Sequence, residues 1–365
     1  MKRYLTTLLA AVLLAGTASA KEFTYSSWTP PTDTTNKALG PYFEKVKADT
    51  GGEFTYKYFV GGQLFGAAAT LGGVRDGAVD GGFVAATFTP KDLPINVMLM
   101  DMQAATRDPL SAVAAVNQTI MVDCPECQEE YGRNKSVTLG GHATTAYYFL
   151  CKSPVNSLAD LKGKKIRSVS RYMSVLTNAV GGTPVTVPPS EMVQAMQLGR
   201  LDCALAPREW LVTFGLKDEV KYIVEQPSFG VIVGVSMLCV NANTWKGLSP
   251  KVKQAMIRNM PMAVAGGAFG AMEGDQRVVD TVIKANVKSV KLGADMEAIW
   301  KKVQEEEPTA VIDAATKNGA KNAQAIVDTY RKNLKKWEAI VDQIGPDRAK
   351  FEQALWDEIY SKVKL

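Results

Sequence analysis

Residues 157–171 read SLADLKGKKIRSVSR and carry the cations Lys162, Lys164, Lys165, Arg167 and Arg171 around a short apolar core. A guanidinium is a rigid two-donor fork that matches a carboxylate, so one of these cations can anchor an organic acid. A second chemistry-bearing motif is Cys124-Pro-Glu-Cys127, with the spacing of a thiol-disulfide oxidoreductase. It follows roughly 100 residues of different pattern, whereas thioredoxin-like sites come soon after the first strands, so a structural staple is the reading to prefer. The single histidine, His142, cannot build the two- and three-histidine sites of zinc and iron enzymes. No serine sits in a G-x-S-x-G turn, and His142 reads as a loop or pocket-wall residue.

These residues need elements to position them. Residues 22–27 alternate like a strand, and residues 36–52 put Leu39, Tyr42, Phe43 and Val46 on one helical face before Gly51-Gly52. A second strand pattern follows, so the order is that of an α/β sheet with crossover helices. Gly77-Ala-Val-Asp80 and Gly199-Arg-Leu-Asp202 each close a helix and open a buried strand, a repeat that hints at two similarly built lobes. Ile166 and Arg167 fall on one strand, where Ile166 enters the core and Arg167 emerges at the carboxyl end, the edge at which open α/β sheets bind ligands. Lys162 and Lys164 read as solvated loop cations. From Ser249-Pro250 the pattern turns helical, with a long spine interrupted by Pro261 and Gly266-Gly267, and amphipathic helices fill the tail.

The bulk properties narrow the class. Lys2 and Arg3, an apolar run and the Ala18-Ser19-Ala20 ending form a secretory signal over residues 1–20, which predicts export to the periplasm. Loss of Lys2 and Arg3 takes the net charge from +5 to +3, too little for a nucleic-acid binder, and no later apolar run is long enough for a membrane-embedded chain. Five cysteines in an oxidising compartment predict one or two disulfides and a spare thiol. Cys124 with Cys127, and Cys203 with Cys239, are candidate pairs that spacing alone does not fix.

Residues 160–167 (DLKGKKIR), 181–202 (GGTPVTVPPSEMVQAMQLGRLD), 220–223 (VKYI) and 240–249 (VNANTWKGLS) resemble the periplasmic solute-binding proteins of TRAP transporters, of the C4-dicarboxylate-receptor type. Residues 61–66 (GGQLFG) and 74–84 (VRDGAVDGGFV) are similar to that family's first-lobe turns. The resemblance implies an α/β, two-lobed binding-protein fold with mixed sheets, crossing hinge strands, a long spine helix and a helical C-terminal region. Its lobes are expected at residues 21–145 plus 232–271 and 146–231 plus 272–365. It also implies a receptor, not an enzyme, without cofactor, that hands a small organic anion to TRAP permease subunits.

In that family the arginine ending the DLKGKKIR motif salt-bridges the ligand carboxylate, which maps onto Arg167. Where several members carry a second arginine this chain has Tyr147, and where many have a ligand-contacting asparagine it has Ala206, so a standard C4-dicarboxylate or sialic acid is not the expected ligand. Arg171 and Arg208 are candidates for a second carboxylate contact, and Glu209 for a ligand hydroxyl, amine or cation. Trp28, Phe88, Tyr147, Tyr148 and Trp210 fall near cleft-lining turns and favour an apolar or ring-bearing acid. The competing readings are an exported redox protein using Cys124 and Cys127, and a sensor that presents the same cleft to a membrane receptor.

Overall fold

A computed structural model describes residues 22–106 and 108–364; the signal segment lies outside the described residues. Its strands are β1 (Phe23–Ser26), β2 (Tyr56–Phe59), β3 (Gly81–Val84), β4 (Ser136–Thr138), β5 (Gly141–His142) and β6 (Tyr147–Cys151), then β7 (Lys165–Arg167), β8 (Thr183–Val185), β9 (Cys203–Pro207), β10 (Tyr222–Gln226), β11 (Val235–Asn241) and β12 (Lys288–Lys291). They form two mixed sheets. The first runs β2-β1-β3-β11-β4 with β5 on β11, and the second runs β12-β10-β6-β9-β7-β8.

The repeated Gly-x-[Val/Leu]-Asp turn does the same work in each sheet. Gly77 and Gly199 hold φ of 74° and 67°, the left-handed region that glycine enters without a Cβ penalty. Asp80 then accepts the Thr24 N–H of β1 at 2.9 Å, and Asp202 accepts the Lys165 N–H of β7 at 2.8 Å. Each aspartate thus fixes the start of the parallel strand beside its own.

Two chain segments cross between the sheets, residues 143–146 leading into β6 and residues 227–234 leading into β11. They run antiparallel through an Ala146–Val231 bridge and a Thr144 N–H to Ile232 carbonyl bond of 3.0 Å. The spine helix Pro250–Val278 starts at a Ser249 cap whose hydroxyl accepts the Val252 N–H. It packs along helix Thr34–Asp49, where Tyr42 donates to the Met256 carbonyl at 3.0 Å, and its far end reaches the second sheet through Asp275 and Arg208.

The tail differs from the expected division, which assigned it to the second lobe. Helix Ala323–Ile344 docks on the first lobe, with Trp337 donating to Gln118 at 2.8 Å and Asn333 to Thr119 at 3.0 Å. Phe351 of helix Arg348–Glu358 packs on Phe269 of the spine. Helix Ala294–Lys317 touches both lobes: Gln304 donates to the Ala104 carbonyl, while Trp300 packs against Tyr172 and Phe229. Amphipathic periodicity predicts a buried face but not the surface that buries it.

The cysteines pair as Cys124–Cys127 and Cys151–Cys203, leaving Cys239 free and buried. The Cys203–Cys239 candidate is thereby corrected. Cys151 and Cys203 are cross-strand partners of β6 and β9, whereas Cys239 belongs to the other sheet. The sulfurs of the CxxC pair sit in buried residues, closed to a substrate thiol.

Candidate binding site

A cavity of about 560 Å³, its mouth included, lies between the lobes, at the carboxyl ends of β1, β3 and β7 and beside the hinge crossing. The first lobe supplies Trp28, Asp33, Phe83, Phe88 and His142; the second supplies Tyr147, Arg167, Pro189, Glu209, Trp210 and Phe214. The walls are mostly ring faces. Trp28 donates its indole N–H to the Phe83 carbonyl at 2.9 Å and holds its ring 5.8 Å from Phe88, and Trp210 contacts both Tyr147 and Phe214.

Arg167 is the cation in this wall and is 1% exposed. As the last residue of β7 it lies in register with Val185 of β8 and Ala204 of β9. Its Nε donates to the Val187 carbonyl at 2.8 Å and its Nη1 to the Leu205 carbonyl at 3.0 Å. The Tyr147 phenol lines the same wall, and the guanidinium sits over the Trp210 ring. Among the described residues no carboxylate lies within ion-pairing distance. Burial pulls the guanidinium down to about 10, leaving it charged at neutral pH. A buried charge without a counter-ion is costly unless something from outside supplies one.

Burial also shifts the other titratable groups of the wall. Burial pushes the Glu209 carboxyl up to about 8, with Asp33 and Asp275 adding to it and the Thr213 hydroxyl opposing. Burial likewise raises Asp33 to about 6, although its carboxylate caps helix Thr34–Asp49 by accepting the Thr35 N–H at 2.9 Å. His142 is lowered to about 4 by burial and is neutral. The cavity therefore presents one firm positive charge, ring surfaces and two carboxyls able to carry protons.

The structure gathers Trp28, Phe88, Tyr147, Arg167, Glu209 and Trp210 around this cavity but not Arg171 or Arg208. Arg171 is turned outward into an ion pair with buried Glu307 of helix Ala294–Lys317. Arg208 is paired to Asp275 of the spine at 2.5 Å, with Glu225 at 3.7 Å, and lies over the Tyr148 ring. Tyr148 and Ala206 are cross-strand partners on the face of β6 and β9 away from the cavity, so Ala206 says nothing about its wall. Asp33 and Thr144 are wall residues that sequence reasoning did not select. Asp33 carries a usable signal, a helix N-cap directly after the first strand. Thr144 becomes visible only when the crossing strands are paired. Among the described residues no cluster of His, Cys, Asp and Glu is arranged to hold a metal ion.

The sequence profile of the DctP family, bacterial extracellular solute-binding protein, family 7, matches residues 25–311. The 2,3-diketo-L-gulonate-binding periplasmic protein YiaO of Escherichia coli is 22% identical over 289 residues, 77% of this chain and 86% of that protein. DctP7 of Bordetella pertussis, an extracytoplasmic solute receptor binding pyroglutamic acid, superposes with a TM-score of 0.72 at 22% identity, over 86% of this chain and all of that one. A TRAP solute-binding protein of an unidentified marine microbe, specific for aromatic acid ligands, gives 0.76 at 21% identity, over 86% of this chain and 98% of its own. At these identities the structures establish the two-lobed fold. With the profile covering most of the chain, both sheets and the spine included, the protein belongs to the bacterial extracellular solute-binding protein family 7, a family of receptors and not of enzymes.

Proposed function

We propose that the protein is an extracytoplasmic receptor for a ring-bearing monocarboxylic acid, which it binds with Arg167 and delivers to a TRAP-type membrane permease. The observation that carries this reading is Arg167 itself, a fully buried guanidinium with no carboxylate partner among the described residues, in a cavity walled by aromatic rings. A ligand carboxylate supplies the missing charge through the fork's remaining donors, and the rings of Trp28, Phe88 and Trp210 cover an apolar body. Arg171 and Arg208 are each committed to a carboxylate of the chain, which favours ligands with one carboxylate over two. The signal-like residues 1–20 support a periplasmic location.

Thermal-shift screening of the chain without residues 1–20, against monocarboxylic, dicarboxylic, keto, aromatic and amino acids, tests the proposal. A ligand at 100 times its dissociation constant stabilises by about 2.7 kcal/mol, a shift well within reach of the method. If no carboxylate raises the melting temperature, the proposal fails.

A further inference from the structure

We infer that Asp33 and Glu209, which enter the cavity from opposite lobes, form a second polar subsite that takes a hydroxyl group of the bound acid. The inference rests on the reading of Arg167 as the carboxylate anchor and adds what the far end of the ligand must carry.

Glu209 follows β9 on the second lobe and is 6% exposed, yet it lines the cavity. Its Oε2 accepts the Thr213 hydroxyl; among the described residues no donor reaches Oε1 and no cation stands within ion-pairing distance. Asp33 lines the same cavity from the first lobe, and beside it Thr32 donates to the Thr213 carbonyl at 3.1 Å, which brings the two segments together. Asp275 of the spine is engaged by Arg208, and Lys37 is too far to form an ion pair. Tyr147, whose ring meets Trp210, shares this wall with Arg167 and Glu209.

Of two buried carboxyls in one wall, one protonated and one ionised, the first offers an O–H donor and the second a carboxylate acceptor. A hydroxyl, which donates one hydrogen bond and accepts another, is their complement. The raised proton affinity of both groups keeps such a proton in place at neutral pH. A second ligand carboxylate would meet two acids there. With one proton the pair keeps a net charge of −1, which an ammonium would also complement, so an amino acid belongs among the ligands compared. Plain ring acids leave Oε1 of Glu209 buried with no group to meet it, the arrangement that penalises an analogue most.

Calorimetry of the chain without residues 1–20 against phenylacetate, mandelate, 3-hydroxyphenylacetate and phenylglycine tests this. At least one of the two hydroxy acids is expected to bind about tenfold tighter than phenylacetate. That ratio should fall to near one in Glu209→Leu and be largely kept in Glu209→Gln. If Glu209→Leu does not melt cooperatively, Asp33→Asn, which keeps the cap oxygen, is read in its place and should reduce the ratio. The inference is overturned if neither hydroxy acid outbinds phenylacetate, if the preference survives the substitution, or if phenylglycine binds best. The anchor reading fails separately, and this one with it, if none of the four acids binds or if Arg167→Met binds phenylacetate as tightly as wild type.

Discussion

The Arg167 guanidinium lies 5.1 Å from the centre of the Trp210 ring, stacked on a cavity wall and held by two backbone carbonyls instead of a carboxylate. The protein thus keeps a charge at a cost to its own empty state and recovers that cost on binding. This asymmetry separates affinity from stability in the variants that follow.

Arg167→Met is expected to weaken carboxylate binding by roughly 3 to 5 kcal/mol while leaving the melting temperature of the empty protein unchanged or higher. Arg167→Lys should fall nearly as far, because an ammonium cannot reproduce the planar fork. Calorimetry and thermal melts read the two effects separately. A large loss of stability with retained affinity would contradict the assignment.

Trp210→Leu removes the ring beneath the guanidinium and part of the apolar wall. A loss of about 1 to 2 kcal/mol in binding of an aromatic acid is expected. Trp245→Leu, where Lys253 lies over a ring remote from the cavity, is the control and should leave the dissociation constant unchanged.

Arg208→Ala strands Asp275, whose side chain is mostly buried in the spine. About 2 kcal/mol of unfolding free energy should be lost, less than for a fully buried pair because both partners keep some solvent. Arg171→Ala, which leaves Glu307 without its partner, should likewise act on stability first. Urea unfolding paired with calorimetry checks this, and a drop in affinity matching that of Arg167→Met in either variant would put that arginine in the site after all.

The raised carboxyls set the pH dependence of the empty protein. Glu209 at about 8, Glu307 at about 7, and Asp33 and Asp101 at about 6 all hold protons that the unfolded chain releases near pH 4. Their contribution is complete below pH 4, declines as pH rises and is gone above about 8. His142, lowered to about 4, acts in the opposite sense and loses stability as pH falls from 6.5. The melting temperature should therefore fall between pH 6.5 and 8, and Glu209→Gln should flatten that slope. A melting temperature that climbs over this interval would be incompatible with these buried protons.

Local rules made much of this legible. The Gly-x-[Val/Leu]-Asp turns announce two like lobes because glycine geometry and an aspartate that must find backbone donors leave few alternatives. The place of Arg167 at the carboxyl end of β7, and not the alternation it shares with Lys165, marks it among its basic neighbours. Relations between distant segments were not legible. Arg208 meets Asp275 67 residues away, Arg171 meets Glu307 136 residues away, and both arginines are withdrawn from the cavity by partners on helices whose docking the sequence does not specify. Asp33 was readable as a helix cap, yet its role in the wall depends on where Glu209 of the other lobe comes to rest.

The Cys151–Cys203 bridge joins β6 and β9 four residues from the Tyr147–Pro207 pair on the same two strands. Because a slip of one residue would turn Tyr147 to the opposite face, the bond locks the alignment that brings Tyr147, Arg167 and Trp210 together. In a family of extracellular receptors such a bond forms in an oxidising compartment, so the recognition surface is finished where solute is encountered.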